Sequence, residues 1–164
     1  MSLLAVCQWL EHSALGIGIR DSDWIFYFIE SIHVFGIVLM VGTVASVDLR
    51  LLGMGIFRQQ PVSKVAGQLL PLTWIGFAIQ LVTGSFLLIS EAATKLYVSP
   101  SFWIKMGLII LAGVNMTIFH FTVYRNVTKW DSAPITPVGA RAAAWISLTV
   151  WTAVVFAGRG IAYY

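Results

Sequence analysis

Residues 24–47 read WIFYFIESIHVFGIVLMVGTVASV, a run in which only Glu30 and His33 are strongly polar. A hydrocarbon core about 30 Å thick takes roughly 20 helical residues to cross, so this run reads as a transmembrane helix. Asp21-Ser22-Asp23, immediately before it, supplies side-chain oxygens for an N-cap. Three further apolar stretches follow the same rule: about 71–90, opened by Pro71; about 102–124, after Ser99-Pro100-Ser101; and about 142–163, after the loop 131–134. Ahead of the first span, residues 1–19 place Leu3, Val6, Cys7, Leu10 and Ala14 on one helical face, with Gln8, Glu11 and His12 on the other. That pattern predicts an amphipathic helix lying in the membrane interface. The expected architecture is all-α: an integral membrane four-helix bundle with an N-terminal interfacial helix, in one domain over residues 1–164.

Composition agrees. Of 164 residues, 59% are apolar and 10% charged, against about 25% charged in an ordinary soluble domain. Four spans and their short loops leave no separate soluble domain to act as a catalytic head. Cys7 is the single cysteine, which excludes a disulfide framework, thiolate zinc and covalently attached c-type haem. The net charge of +3 comes without any basic run, so nucleic acid is not the expected partner and the lipid bilayer is. A cleavable signal peptide is not expected either, because the first basic residue is Arg20.

With four spans the connections alternate sides. The first and third loops hold Arg50, Arg58, Lys64, Arg125, Lys129 and Arg141; the opposite face holds Arg20, Lys95, Lys105 and Arg159. The positive-inside rule then places both termini outside, which in a bacterium is the periplasmic side of the inner membrane.

Polar groups inside a span cost roughly 2.5–3.5 kcal/mol when charged, so each invites a functional reading. Glu30 and His33 are neighbours at i, i+3 on the first span, where a carboxylate can orient an imidazole or act beside it as a ligand. Gly36, one turn on, reads as room for a flat macrocycle; the alternative is close packing of a neighbouring helix. His120 lies one turn beyond Met116 on the third span, a soft and an imidazole ligand on one face. His12 reads as a solvated residue of the surface helix, and Asp48 as a structural carboxylate paired with a nearby arginine.

Facing imidazoles in a membrane bundle suggest b-type haem. His33 lies ten residues after Asp23, and His120 eighteen after Phe102, so their depths differ by roughly 12 Å and one shared iron is disfavoured. Two sites fit better. An outer site would use His33 and Glu30, with Lys105 and Arg159 facing haem propionates; an inner one would use His120, with Arg50, Arg125 or Arg141 in that role.

The strings Glu30-Ser-Ile-His33-Val-Phe-Gly36, Val47-Asp-Leu-Arg-Leu-Leu-Gly53 and Gly158-Arg-Gly-Ile-Ala-Tyr163 resemble an uncharacterised family of small bacterial four-span inner-membrane proteins. The His-x-x-Gly pattern is more distantly similar to the membrane domain of the copper-resistance protein CopD, a resemblance that implies copper handling. The chain lacks the Met-rich and His-rich segments of a copper-loading surface.

The expected function is electron transfer by a membrane-embedded b-type haem protein, an oxidoreductase role exchanging electrons with a quinone or a periplasmic protein. Copper binding or transport through His33, Met40, Met116 and His120 is the alternative, and a structural membrane subunit is the third. Small residues on the spans, Gly76 with Gly84 and Gly107 with Gly113, allow close contacts within a chain or between copies of a homo-oligomer.

Overall fold

The computed structural model describes residues 2–133 and 135–163. The described residues form helices α1 (Leu3–Glu11), α2 (Ala14–Arg20), α3 (Asp23–Leu51), α4 (Val62–Ser90), α5 (Pro100–Thr122) and α6 (Val138–Gly160). A π-turn (Ala92–Leu96) joins α4 to α5; 3₁₀ segments follow α5 (Tyr124–Lys129) and α6 (Ile161–Tyr163).

Helices α3 to α6 are each long and apolar enough to cross a bilayer, with mean hydropathy of 2.0, 1.8, 1.7 and 1.4 in their best windows. Their outer faces carry large apolar side chains: Trp24 is 82% exposed, Phe121 69% and Phe156 74%. Faces of that kind belong against lipid rather than water. The chain is a multi-pass membrane protein.

α3 packs most extensively on α4, and α5 on α6; α3 also meets α6 and so joins the two hairpins. α4 and α5 share no extended contact among the described residues. The order around the bundle is therefore α4, α3, α6, α5, and the seam between α4 and α5 is the open one.

The first span starts where the cap residues place it, with Ser22 Oγ accepting from the Ile25 N–H at 3.4 Å. The N-terminal segment differs from the single amphipathic helix expected. Ser13 ends one helix by donating to the Leu10 carbonyl at 2.6 Å and opens the next by accepting from Gly16 N–H at 3.1 Å. Glu11, expected on the solvent side, is only 2% exposed. Its carboxylate accepts from the backbone N–H of Ala93 at 2.7 Å and Thr94 at 3.0 Å, and takes the Arg20 guanidinium at 3.1 Å. The N-terminal helices are thereby pinned to the π-turn at the end of the bundle where α3 begins and α6 ends.

The opposite, distal end is tied by an equivalent device, which also carries the helix of the second span further toward its N-terminal side. α4 begins at Val62, with Pro71 inside it, rather than at Pro71. The earlier start is possible because Asp131, from the α5–α6 loop, satisfies the N–H groups that a helix start leaves open. Its carboxylate accepts from Ser63 N–H at 2.7 Å and Ser63 Oγ–H at 2.6 Å, and its carbonyl accepts from Val62 N–H at 3.2 Å. Arg50, 4% exposed, donates to the carbonyls of Gln60 and Asp131. Thr136 Oγ1 donates to the Leu51 carbonyl, locking the same loop to the end of α3.

Burial alone would raise the Glu11 carboxyl, but the Thr94 and Ala93 N–H groups and Arg20 outweigh it and hold it below the usual range. For Asp131 burial likewise raises, and the Ser63 hydroxyl and N–H, with Arg50, more than reverse it. Lowered carboxyls stabilise the fold above their unfolded values, and that contribution disappears as the pH falls through the folded values. The melting temperature in detergent should therefore drop on acidification below about pH 4. Glu11→Gln and Asp131→Asn should each start lower and lose less over that range; an unchanged acid transition in both variants would contradict the two pinning contacts.

Candidate functional site

The α3–α4 contact is built from small residues set at helical spacing. A Cβ on Gly76 would lie 2.8 Å from the Met40 backbone nitrogen and 3.0 Å from its Cα, so only glycine lets the two backbones approach this closely. Gly36 sits in the same seam: a Cβ there would meet Ile79 Cγ2 at 2.7 Å and Gln80 Nε2 at 2.9 Å. The space read from the sequence as room for a macrocycle is filled by α4. Thr43 Oγ1 and Thr73 Oγ1 meet across the seam at 2.8 Å, and Gln80 Nε2 donates to the His33 carbonyl.

This seam fixes His33. Its Nδ1 lies 2.8 Å from Thr83 Oγ1. The Thr83 hydroxyl has one proton and gives it to the Ile79 carbonyl at 2.6 Å, so toward His33 it acts as acceptor. The imidazole is then the Nδ1–H tautomer, and Nε2 keeps its lone pair. The ring rests on Gly84, where a Cβ would come within 3.3 Å of His33 Cε1. Thr83 and Gln80 were not singled out in the sequence. Their signal was there as a helical stripe of polar and small residues, Thr73, Gly76, Gln80, Thr83 and Gly84, along a largely apolar span.

The expected companions of His33 are only partly gathered around it. Lys105, on α5, runs alongside Gly158 of α6, its Nζ 3.8 Å from where a Cβ would stand, and lies within electrostatic reach of His33. Its ammonium has no hydrogen-bond or ion-pair partner among the described residues. Glu30 is exposed on α3 and makes no hydrogen bond to His33, and Arg159 is exposed at the end of α6.

His120 belongs to a different place. It stacks on Tyr124 with ring centroids 5.6 Å apart and borders a small cavity of about 70 Å³ with Met116, Phe119 and Val47. Val47 is fourteen residues beyond His33 on α3, roughly 21 Å of helix rise. The two histidines therefore occupy separate depths. Arg50, expected beside His120, has its guanidinium directed at the Gln60 and Asp131 carbonyls instead. The pairing expected for Asp48 is also absent: no ion pair to Asp48 forms among the described residues, because Arg50 is already engaged. No cluster of three or more His, Cys, Asp or Glu residues forms among the described residues, so Glu30, His33 and His120 make no common metal centre.

Gly76→Ala should destabilise the protein by about 1–3 kcal/mol, since backbone atoms have to move. Gly42, with nothing within 4 Å of its Cβ position among the described residues, should tolerate alanine or gain up to about 1 kcal/mol from helix propensity. Unfolding in mixed micelles separates the two, and equal effects would contradict the seam.

No curated protein and no solved structure matches the chain. Residues 6–164 match a family of unknown function, DUF6644, and over that length the chain belongs to it.

Proposed function

We propose that the chain is an electron-transfer protein of a bacterial inner membrane, with both termini periplasmic, holding a b-type haem through His33 inside the bundle. One observation carries this reading. Thr83 Oγ1 lies 2.8 Å from His33 Nδ1 while its own hydroxyl donates to the Ile79 carbonyl; accepting a hydrogen bond from Nδ1–H would leave the Nε2 lone pair free, the arrangement that fixes tautomer and ring orientation in a metal-binding histidine. Among the described residues His33 is the one imidazole that would hold the iron at this depth. A bis-histidine site does not fit, because His120 is about 21 Å further along the bundle. Gly36 offers no lane for the ring, so access to Nε2 would come from the side of α5, where α4 and α5 do not close on each other.

A bound haem would supply one-electron chemistry. The chain's contribution would otherwise be electrostatic and steric: His33 orients, the Lys105 amine, without a partner among the described residues, would face an acidic group, and the apolar walls would exclude water. The partner would be a quinone or a periplasmic electron-transfer protein. Met116 and His120 facing one cavity favour copper as a second reading, with a soft ligand and an imidazole at i, i+4. A homo-oligomer would use the faces at Gly107 and Gly113, where no other group among the described residues comes within 4 Å of a Cβ position.

Protein purified from a haem-supplied host should show a Soret band, and a reduced-minus-oxidised α band after dithionite. His33→Ala should abolish both and His120→Ala should spare them. Thr83→Val should weaken haem retention by about 10–100-fold. Absence of a Soret band, or its survival in His33→Ala, overturns the haem reading. Stoichiometric copper that depends on Met116 and His120 would establish the second reading.

A further inference from the structure

The distal half of the bundle contains a carboxylate that nothing above uses. Asp48 is 7% exposed, and its Oδ2 is buried with no hydrogen-bond partner. Beside it across the α3–α6 contact stands the Ser147 hydroxyl, itself 8% exposed. The neighbours on its own helix, Val47 and Leu51, belong to an apolar core with Ala140 and Ala144.

A carboxylate in such surroundings requires a counter-charge or a proton. The charged groups of the packed elements give no counter-charge. On α3, Arg50 donates to the carbonyls of Gln60 and Asp131. Lys64 on α4, His120 on α5, Arg125 and Lys129 after it, and Arg141 on α6 are exposed. Asp131 is occupied by Ser63. At the other end of the bundle, Arg20 of α2 pairs with Glu11 and Asp21, while Glu30 and Arg159 are exposed.

We propose that Asp48 is a proton-binding site within the span, its carboxyl neutral at rest with Ser147 as hydrogen-bonding neighbour. Protonation removes the charge that no neighbouring group offsets and gives the carboxyl an O–H that can be donated to a hydroxyl oxygen such as that of Ser147. Ionisable residues inside spans recur as proton carriers, and this one lies one turn from the end of α3, close enough to the distal surface to exchange with water. The site is independent of any haem at His33.

Infrared spectroscopy of the full-length protein in lipid, labelled with ¹³C-aspartate and held at neutral pH in sodium- and potassium-free buffer, tests it. The other aspartates are Asp21 and Asp23, both exposed, and Asp131, held ionised. A label-shifted band of a protonated carboxyl is expected. It should vanish completely in Asp48→Asn, which should fold because the amide is neutral and of the same shape, and should move in Ser147→Ala. If Asp48→Asn does not fold, the labelled wild-type band decides, since Asp48 is the one aspartate sheltered from water. Absence of the band at neutral pH overturns the proposal. So does a band lost on adding sodium chloride with a rise in melting temperature, which would make Asp48 a cation site.

Discussion

The close approach of α3 and α4 is the constraint on which the rest depends. Lipid tails are as apolar as leucine, so burying apolar surface gives transmembrane helices little reason to associate. What remains is tight backbone packing and hydrogen bonding across the contact. Gly76 against Met40 and Gly36 against Ile79 supply the first. Thr43 with Thr73, Gln80 with the His33 carbonyl, and His33 with Thr83 supply the second. The seam that holds the hairpin together is also what sets the tautomer of His33, so stability and any ligand chemistry at that residue share one set of contacts.

Both ends of the bundle solve a second problem in the same manner. Helix starts leave N–H groups unsatisfied, and each end brings in a carboxylate from a distant part of the chain: Glu11 on the π-turn after α4, Asp131 on the start of α4. Cationic partners differ in role. Arg20 pairs directly with its acid, whereas Arg50 satisfies carbonyls around Asp131. Arg50 is thus taken up by architecture, and Lys105 is left as the cation of the interior without a partner among the described residues.

The four spans were legible because apolar runs of membrane length carry their own signal, and the Ser22 and Ser99 caps lie next to the helices they start. The start of α4 was not legible, because its cap, Asp131, is 68 residues from Ser63. Glu11 looked like a solvated residue for the same reason, with its acceptor role fixed 82 residues away. His33 stood out as an ionisable group in an apolar run, and its separation in depth from His120 followed from helix rise. Periodicity shows which face a residue occupies and not what covers it, so Gly36 suggested a ligand where α4 packs. Local spacing likewise suggested Asp48 with Arg50, two residues apart in sequence yet directed at different groups.

Solid-state ¹⁵N NMR of histidine-labelled protein in bilayers reads the central claim most directly, because the two ring nitrogens of His33 resonate differently when protonated. The Thr83 contact predicts a proton on Nδ1, with Nε2 bare or coordinated, and loss of that preference in Thr83→Val. A His33 ring carrying its proton on Nε2, with Nδ1 accepting from Thr83, would contradict it and remove the physical basis for ligand binding at this residue.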